Sequence, residues 1–593
     1  MGNFSLARQR IRWLIAVVMV VLMLFAFRLV DIQAVQAQTY SLKAANEMSR
    51  TTIMPAARGA ITDVNGVEFA RSVAAVNVVV DQTLIKDPIK AAEIAAPILQ
   101  MSPADVQALI TGKHLWKMVA RDVSPAQWSA LTAAFAHYND GLDRTNLSKK
   151  IFGFFAERVY TREYPSGSLI ASLIGFVNQE GVGATGLEAS KNSIISGVDG
   201  KYMYAYGYGA QIPGSQQELI TARTGTTIRL SVDRDIQWVA SQAILQAVKS
   251  AHALSGTVIV MDPKTGEILA HATAPTFDPN NTKNVSLLAM KNPSVQDVYE
   301  PGSTGKVMTL AAAIQEGTVT PTSVFTVPYG LKVSTTTFHD HQKHATQRLT
   351  TSGILAVSSN TGAIQVGATL KNSVLYDYLR KFGVGSNTGS GLAGESDGVL
   401  PAVSTWSGTT APTVAFGQGY SLTAMQATSI FATIANNGVR VSPTVIAGTS
   451  DSNGLFTPAV KRSSVQVVSP ETAMKMRLMM ESVVSANGTA PEAAIAGYRV
   501  AGKTGTAMRV DDTCHCYKGY TASFIGFAPA DQPKYVVSVT IQAPQGIHWG
   551  GTLGAPVFKK VMSFVLQSRH VAPTYTKVTP YPLTEAQVQK AKN

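Results

Sequence analysis

The sequence predicts an α+β protein that begins with a membrane-spanning helix. An unbroken apolar run fills residues 13–27, close to the N-terminus. Farther along, β-rich runs separated by turns alternate with amphipathic, helix-like stretches. Hydrophobic residues make up 45% and charged residues 15% of the 593-residue chain. That composition is typical of a globular protein and excludes an intrinsically disordered one.

Residues 13–30 are expected to form an uncleaved transmembrane anchor, because a bilayer needs roughly 20 mostly apolar residues. Arginines within residues 1–12 place that segment in the cytoplasm and everything after Arg28 outside. The alternative is a cleaved signal peptide with a small-residue site ending at Ala37. The charged stretch between Arg28 and that site is long for a signal peptide and favours the anchor.

Residues 44–223 are expected to form a non-catalytic pedestal module, which would serve as a structural or docking domain. Residues 58–66 indicate a short strand that enters an Asn-Gly hairpin turn. A glycine-rich group follows at residues 181–188, and no acid/base pair or metal-ligand cluster stands out.

Residues 227–570 show an α/β pattern and are expected to form the second large domain. A hairpin of residues 256–261 and 267–274 would supply the core of an antiparallel sheet. An amphipathic helix is expected over residues 235–248. Further expected elements are strands at 227–232, 498–501, 522–527 and 535–542, a closing helix near 555–566, and a tail at 571–593.

Ser303 and Lys306 form the first of three short motifs that carry chemistry. They follow Pro301-Gly302 at the head of an Ala/Leu-rich run that is typical of a buried helix. Residues three apart share a helix face, so the lysine amine can reach the serine hydroxyl. A buried lysine with a lowered pKa can take the proton of such a serine and activate it as a nucleophile. Alone, this spacing also fits an ordinary helix start.

Two downstream motifs favour the catalytic interpretation. Ser358-Ser359-Asn360 follows the apolar residues 353–357, and Lys503-Thr504-Gly505-Thr506 follows residues 498–502. The three motifs occur in the order Ser-x-x-Lys, Ser-x-Asn, Lys-Thr-Gly, and chance co-occurrence in that order is improbable.

A formal net charge of +13 suits an anionic partner such as membrane lipid or cell-wall polymer. Nucleic acid is not expected, because no Lys/Arg run with interleaved aromatic residues occurs. The two cysteines, Cys514 and Cys516, flank His515. Their spacing is compatible with a strained disulfide outside the cytoplasm or with two free thiols, and both readings stay open.

The histidine cluster at residues 338–344 has two interpretations. His339, His341, His344 and Asp340 offer imidazoles and a carboxylate for a metal ion. A solvent-exposed rim loop just ahead of the second motif fits the sequence at least as well, and no metal site is expected.

Taken together, the motifs resemble those of the class B penicillin-binding proteins, the monofunctional peptidoglycan D,D-transpeptidases. The resemblance covers nearly the whole chain. Other matching segments are residues 28–33, Arg58-Gly59 with Asn65-Gly66, Gly186-Leu187-Glu188, 275–280, 299–304, 416–419, Gly550-Gly551 and 555–558. The pedestal and residues 275–280 are most similar to actinobacterial division-specific (septal) enzymes. The resemblance implies a transpeptidase domain with a five-stranded antiparallel sheet flanked by helices, plus an all-helical subdomain.

One residue departs from the family pattern. Gly305 stands where many relatives carry Phe or Met before the lysine. A glycine inside a helix costs about 1 kcal/mol relative to alanine, so a slight loosening of Lys306 is expected.

The resemblance also implies catalytic roles. Ser303 would attack the carbonyl between the last two D-alanines of a stem peptide, and neutral Lys306 would take its proton. Ser358 would relay a proton to the leaving amine. Asn360 would hold a substrate amide and the base, and Lys503 would supply positive potential.

Thr504, Gly505 and Thr506 are implied to bind the substrate, with the two hydroxyls on its terminal carboxylate. The backbone N–H groups of Ser303 and Thr506 would form the oxyanion hole. No metal or organic cofactor is required.

Implied partners are the donor and acceptor stem peptides, β-lactams as inhibitors, the membrane, a polytopic glycosyltransferase and other division proteins. The protein would be a single-pass membrane protein with its catalytic domain outside, at the division septum. Alternatives are an elongation-specific transpeptidase, a non-turnover penicillin sensor or scaffold, and a carboxypeptidase or β-lactamase.

Overall fold

The computed structural model describes residues 3–592 except 208, 209, 212, 213, 216, 512, 513, 515, 575, 577 and 578. Its first element is the helix Asn3–Val30, which continues as a π-helical turn, Asp31–Val35. In this described part of the chain, one helical span, Ala7–Val35, is long and apolar enough to cross a membrane, and an 18-residue window within it has a mean hydropathy of 2.7. The apolar run expected at residues 13–30 lies inside it.

The chain folds into two compact units. The first comprises Met1–Ala57, Ala75–Tyr160 and Gly197–Thr224, and the second comprises Arg58–Ala74, Thr161–Ser196 and Gly225–Asn593. Strand Glu68–Val80 contributes its first residues to the second unit and its last residues to the first.

The first unit packs three capped helices beside a strand pair. The helices Pro88–Leu99, Pro103–Ile110 and Pro125–Asp140 each begin with proline, after the side-chain caps Asp87, Ser102 and Ser124. Proline suits the first helical position because its missing N–H would have no partner there. Buried side chains of these helices, such as Ala95 and Leu131, join Val78 and Val80 of the strand in one core.

The other elements of the first unit are mostly strands. They are the helix Ala37–Met48, the strands Ser49–Met54, Lys117–Val123, Gly200–Gly207, Ala210–Gln211 and Gln217–Ile220, and the 3-10 turns Gln82–Leu84 and Leu147–Lys149. Strand Phe154–Glu163 starts in this unit and ends in the second. Ser49–Met54 and Gln217–Ile220 both pair antiparallel with Gly200–Gly207.

The second unit is built on a five-stranded antiparallel sheet, here called the central sheet. Its strand order is Ile268–Ala274, Ser255–Met261, Tyr535–Gln542, Cys516–Ala528 and Ala501–Asp511. The hairpin partners Ser255–Met261 and Ile268–Ala274 are buried along their whole length, which fits their nearly continuous apolar sequence. The helices Arg234–Ser250, Gly550–Ser568 and Ala424–Ala435 pack against this sheet. The α+β class with a helix-flanked five-stranded antiparallel sheet is confirmed.

One strand boundary expected from the sequence is wrong. The strand expected at 498–501 begins at Ala501 and runs to Asp511, so the third motif lies inside the strand and not after it. Gly502, Lys503 and Gly505 have low strand propensity, but pairing with Cys516–Ala528 overrides it.

The second unit also contains the helices that carry or support the first two motifs. They are Lys306–Gln315, Thr351–Ala356, Asn360–Gly367, Asn372–Phe382, Thr410–Ala415 and Pro470–Val484. Two short ribbons are inserted among them, pairing Val324–Val327 with Gln347–Thr350 and Gly330–Val333 with Thr336–His339. These helices and the central sheet share one large hydrophobic core.

Short elements complete the second unit. The strands are Ile61–Thr62, Thr227–Leu230, Val298–Tyr299, Leu422–Thr423, Val439–Val441, Ile446–Ser450, Phe456–Pro458 and Ser464–Gln466. The helices are Ala171–Ile174, Gly186–Ser190, Asn192–Ile195, Leu287–Met290, Pro293–Gln296 and Glu585–Lys592, with 3-10 turns Gly167–Ile170, Gly302–Thr304, Val403–Thr405 and Pro491–Ala493.

A buried ionic cluster joins two segments that lie far apart in the chain, Arg58-Gly59 and Gly186-Leu187-Glu188. Arg58 and Arg162 both contact the Glu188 carboxylate, at 2.6 and 2.7 Å, and Glu188 is fully buried. Arg58 also donates to Asn192 Oδ1 at 2.8 Å. A buried carboxylate is tolerated because it has two cationic partners.

Candidate active site

Ser303 lies in a tight 3-10 turn, Gly302–Thr304, just before the helix Lys306–Gln315. Gly302 adopts a left-handed φ of 52° and donates its N–H to Gly417 O at 2.8 Å. A Cβ on Gly302 would lie 3.1 Å from Thr506 O. Glycine is therefore needed for the turn to approach the strand that carries the third motif.

Close packing also explains why position 305 is a glycine. A Cβ at this position would lie 2.4 Å from the Tyr420 hydroxyl and 2.8 Å from Gly417 Cα. The departure from the family pattern thus permits close packing against residues 417–420, and the following Lys306 is completely buried. Gly305 directly precedes the helix Lys306–Gln315, so the cost of a glycine inside a helix does not apply to it. The slight loosening of Lys306 expected from Gly305 stays a prediction.

Lys306 is the central base candidate. Its Nζ lies 3.0 Å from Ser303 Oγ, 2.6 Å from Ser358 O and 2.7 Å from Asn360 Oδ1. Burial lowers its pKa to about 7, while the negative charge of Asp340 acts in the opposite direction. The amine is therefore neutral in a large fraction of molecules at neutral pH.

The second motif lies at a junction of two helices, Thr351–Ala356 and Asn360–Gly367. Ser358 sits between them with a left-handed φ of 62°. Its Oγ accepts a hydrogen bond from Lys503 Nζ at 2.8 Å and lies 3.4 Å from Lys306 Nζ. The Ser358 hydroxyl thus connects the two lysines.

Lys503, at the start of strand Ala501–Asp511, brings the third motif into the same site. Its Nζ contacts Thr504 O at 3.1 Å and Thr504 Oγ1 at 3.2 Å, in addition to Ser358. Burial and the nearby charge of Lys306 lower the pKa of Lys503 well below its usual range. Two buried ammonium groups so close together would repel each other, so only one is easily protonated.

The remaining residues of the third motif line the same strand. Gly505 needs to lack a side chain, because a Cβ would lie 2.3 Å from Ser523 Oγ and 3.1 Å from Pro301 O. Thr506 Oγ1 accepts the N–H of Gly550 at 3.2 Å. Thr504 Oγ1 lies 2.8 Å from Thr489 Oγ1.

A cleft of about 740 Å³ opens above these groups. Ser303, Ser358, Asn360, Thr504 and Thr506 line it. Lys306 and Lys503 lie beneath this lining, with no exposed surface. Hydroxyl and amide groups therefore face a bound molecule, and the amines act on them from below.

All eight predicted site residues thus come together in one place, although their sequence positions span 303–506. The role of the backbone N–H groups of Ser303 and Thr506 as an oxyanion hole stays a prediction. Sequence reasoning considered Asp340 only as a metal ligand and missed its contacts with the second motif. Asp340 lines the cleft, and its carboxylate accepts hydrogen bonds from Asn360 N at 2.5 Å and Thr361 N at 2.9 Å.

The histidine cluster is only partly the exposed rim loop that the sequence favoured. Asp340 is buried, whereas His339 is exposed and His341 lines the cleft. The His341 ring stands edge-on to Trp549, with centroids 4.6 Å apart. Among the described residues, no group of three or more His, Cys, Asp or Glu side chains is arranged to hold a metal ion.

The two cysteines lie where strand Ala501–Asp511, which carries the third motif, turns into strand Cys516–Ala528. Cys514 and Cys516 are joined by a disulfide. The intervening His515 is outside the described residues.

Comparison with known proteins identifies the family. Residues 256–563 match the penicillin-binding protein transpeptidase domain, and residues 53–230 match the penicillin-binding protein dimerisation domain. The chain belongs to the penicillin-binding protein transpeptidases. PbpB of Mycolicibacterium smegmatis, a penicillin-binding protein, is 34% identical over 96% of this chain and 91% of its own length. Peptidoglycan D,D-transpeptidase FtsI of Escherichia coli is 34% identical over 72% of this chain and 70% of its own length.

Solved structures show the same relationship. Penicillin-binding protein 3 of Mycobacterium tuberculosis, in complex with aztreonam, matches 90% of this chain and 100% of its own at 30% identity and a TM-score of 0.69. With the dimerisation domain present, this transpeptidase is of the class B type. It is a penicillin-binding peptidoglycan D,D-transpeptidase of the division type represented by PbpB and FtsI.

Proposed function

We propose that this transpeptidase crosslinks peptidoglycan stem peptides through an acyl-enzyme on Ser303 during septal wall synthesis. The observation that supports this proposal most strongly is the set of contacts that Lys306 Nζ makes. Ser358 O and Asn360 Oδ1 can only accept hydrogen bonds, so they take the two hydrogens of a neutral amine. The lone pair then faces Ser303 Oγ at 3.0 Å and can receive its proton.

The orientation of the Asn360 amide supports this reading. Asn360 Nδ2 donates to His339 O at 3.0 Å, which leaves Oδ1 for Lys306. If the amide were flipped, its NH2 group would face the Lys306 amine, and its oxygen would face the carbonyl oxygen of His339, so the hydrogen bond to His339 would be lost. Asn360 Oδ1 therefore accepts a hydrogen of the Lys306 amine, as the proposed role of that amine as the base requires.

In the acylation step, Ser303 Oγ bonds to the carbonyl carbon between the last two D-alanines of the donor. Its proton passes to Lys306, and the carbonyl becomes an oxyanion that the N–H groups of Ser303 and Thr506 would stabilise. The C–N bond then breaks. The proton moves through Ser358 Oγ to the leaving D-alanine amine, for which the 2.8 Å contact with Lys503 Nζ keeps the hydroxyl in place.

In the transfer step, the amine of a second stem peptide attacks the acyl carbon and loses a proton to the Lys306–Ser358 pair. The bond between the acyl carbon and Ser303 Oγ then breaks, and the pair returns the proton to Ser303 Oγ. Thr504 and Thr506 are proposed to bind the terminal carboxylate of the donor. Lys503 supplies positive potential beneath them. A β-lactam mimics the D-alanyl-D-alanine end and acylates the same serine.

The rest of the chain fits a membrane enzyme. We place residues 1–12 in the cytoplasm, the anchor at residues 13–30, and the pedestal at 44–223. The catalytic domain at 227–570 and the tail at 571–593 would lie outside. A polytopic glycosyltransferase would supply the glycan strands, and other division proteins would recruit the enzyme to the septum.

The reaction is tested with the full-length chain in detergent micelles. A thioester analogue of the D-alanyl donor is supplied with water alone or with a D-amino acid as acceptor amine. We expect the amine-transfer product to exceed the hydrolysis product, and Ser303→Ala to form neither. Ser452→Ala, which removes an exposed hydroxyl, is the matched control and should behave as wild type.

Other outcomes separate the alternatives. An acyl-enzyme that accumulates without either product indicates a penicillin sensor, and predominant hydrolysis indicates a carboxypeptidase. In cells, a fluorescent fusion of the full chain should collect at mid-cell before constriction. Uniform labelling of the lateral wall would instead indicate an elongation enzyme.

A further inference from the structure

Asp340 is a buried carboxylate that none of the three motifs contains. Its side chain is 8% exposed. Oδ1 accepts the N–H groups of Asn360 and Thr361, and Oδ2 accepts Ser359 Oγ at 2.7 Å. Asp340 therefore caps the first turn of helix Asn360–Gly367, where unpaired N–H groups and the helix dipole favour a negative charge.

The same loop holds the Asn360 side chain. Asp340 Oδ1 fixes the backbone of Asn360, while the neighbouring His339 O accepts its Nδ2. Two hydrogen bonds, one to its backbone N–H and one to its Nδ2, thus fix Asn360, and its Oδ1 accepts a hydrogen bond from Lys306 Nζ. Loss of the hydrogen bond from Asn360 N to Asp340 Oδ1 would let the Asn360 amide rotate away from the lysine.

Ser358 depends on the same cap. Its left-handed φ of 62° costs about 1–2 kcal/mol for a residue with a Cβ. It persists only if the surrounding structure fixes it. The Asp340 hydrogen bonds to Ser359, Asn360 and Thr361 hold the chain that follows directly.

We propose that Asp340 is a positioning residue for acylation: it holds Ser358 and Asn360 against Lys306 and places a fixed negative charge beside that amine. This rests on the proposed role of Ser303 and Lys306. The carboxylate does not touch the reacting atoms itself. It acts through the hydrogen-bonded junction and through the electrostatic field at the base.

The charged and titratable groups around Asp340 define that field. His344 Nε2 lies 3.0 Å from Oδ2, and His341 is the next residue in the chain. Tyr329 accepts the Asp340 N–H through its carbonyl oxygen at 2.9 Å. Lys306 begins helix Lys306–Gln315 and interacts electrostatically with Asp340: burial lowers the pKa of the lysine, and the charge of Asp340 acts in the opposite direction.

The test variant is Asp340→Asn, which keeps the shape and removes the charge. The readout is the second-order rate constant for acylation of the full-length chain by fluorescent penicillin, measured from pH 5 to 9. We expect a fall of about 10- to 100-fold, the size that loss of hydrogen bonds to a charged group implies. The acid limb of the profile should move to lower pH, because without the carboxylate the pKa of Lys306 falls.

Two further variants separate charge from geometry. Asp340→Glu keeps the charge but lengthens the side chain, so the acid limb should return towards the wild-type position while the rate stays reduced. Asp377→Asn makes the same chemical change at an exposed helix position and is the matched control. It should leave both rate and limb unchanged.

His344→Gln keeps the proposal testable if Asp340→Asn fails to fold. Hydrogen bonds to Ala345 O and Asp340 raise the pKa of His344 although burial acts against them, so the ring is partly protonated on the acid limb. Removing this positive charge should move the limb to higher pH, opposite to Asp340→Asn.

Three results would overturn the proposal. One is wild-type acylation with an unmoved limb in Asp340→Asn. Another is a rate loss in that variant that only follows loss of folded protein, with the limb in place. The third is a limb in His344→Gln that stays put or moves to lower pH. If Ser303→Ala still acylates, the proposed function fails first, and that result is distinct from all three.

Discussion

Two regions of the cleft hold their reactive side chains in different ways. The third motif lies in strand Ala501–Asp511, where Lys503 pairs with Ile525 and Thr506 with Ala522 in the central sheet. The second motif lies at a junction between two short helices and has no such ladder. Ser358 has a left-handed φ there, and side chains and loops hold it on either side.

On the C-terminal side of the junction, Asp340 caps helix Asn360–Gly367. On the N-terminal side, the last described segment of the chain takes part. Thr350 N donates to Leu583 O at 3.0 Å, and Thr350 Oγ1 donates to Pro582 O at 2.6 Å. Arg348 pairs with Glu585 at 2.9 Å.

The difference shows how robust each placement is. Strand Ala501–Asp511 is an edge strand, but it pairs with Cys516–Ala528 along its whole length, so no single side chain decides where Lys503 lies. The junction depends on one carboxylate and on a distant stretch of chain. We therefore expect the two regions to respond differently to matched substitutions.

The largest effect is expected where both regions meet, at Lys306. Lys306→Met removes the base and should lower the acylation rate constant by about 10²- to 10⁴-fold, the usual contribution of a general base. The measurement is penicillin acylation at pH 8. A rate within threefold of wild type would contradict the role of the lysine.

The same variant should be more stable than wild type. The pKa of Lys306 is about 7 in the folded chain and ordinarily 10.5, so between these pH values the unfolded chain binds more protons and stability rises with pH. Lys306→Met removes this dependence and the penalty below pH 7, a gain on the order of a few kcal/mol at neutral pH. Thermal melts at pH 7 and pH 10 check the sign.

Gly505→Ala tests the strand region. The new Cβ would meet Ser523 Oγ at 2.3 Å and Pro301 O at 3.1 Å, both in buried surroundings. Overpacking of this kind costs about 1–3 kcal/mol, and it should push the strand away from the turn that carries Ser303. We expect lower thermal stability together with at least tenfold slower acylation.

A double variant is the control for Gly505→Ala. Adding Ser523→Ala removes the closest clash but leaves Pro301 O in place. Stability should recover in part while acylation stays slow. Full recovery of acylation would mean that the turn and the strand are not coupled as described.

Gly353→Ala makes the same change in the junction region. Its Cβ would lie 2.0 Å from Leu583 O, so the C-terminal segment must move. Because residues 581–591 are half-buried or exposed, the stability cost should be smaller than for Gly505→Ala, within about 1 kcal/mol for a change compensated by helix propensity. Hydrogen exchange of residues 581–592 should increase, and acylation should slow by a few-fold. Unchanged exchange there would contradict the docking of this segment.

The smallest effect concerns the backbone of Ser358. Ser358→Gly and Ser358→Ala both lose the hydroxyl, so both should acylate slowly. Glycine accepts a positive φ at little cost, so Ser358→Gly should be more stable than Ser358→Ala by about 1 kcal/mol. Equal melting temperatures would show that the left-handed conformation carries no strain.

Local patterns in the sequence predicted most of the fold. The apolar run predicted the N-terminal helix, and the strand expected at residues 535–542 is the observed Tyr535–Gln542. The start of strand Ala501–Asp511 was missed because its first residues include two glycines and a lysine, and only pairing with Cys516–Ala528 makes them extended. Local propensity cannot show such non-local pairing.

The site was predictable to the extent that it is written in short motifs. Ser303, Lys306, Ser358, Asn360 and Lys503 could be singled out as candidates because each motif spans four residues or fewer. The contact between Asp340 and Asn360 was missed because the two residues lie 20 positions apart, and no spacing rule links a carboxylate to a helix start at that distance. The position of Leu583 could not be predicted either, because its carbonyl oxygen accepts a hydrogen bond from the backbone of Thr350, more than 200 residues earlier.

The most direct test of the central claim is the position of the penicillin adduct. The full-length chain is treated with benzylpenicillin, digested with protease, and mapped by mass spectrometry beside Ser303→Ala. The account predicts one adduct, on the peptide that contains Ser303, and none in the variant. An adduct on another residue, or equal adduct formation in Ser303→Ala, would contradict it.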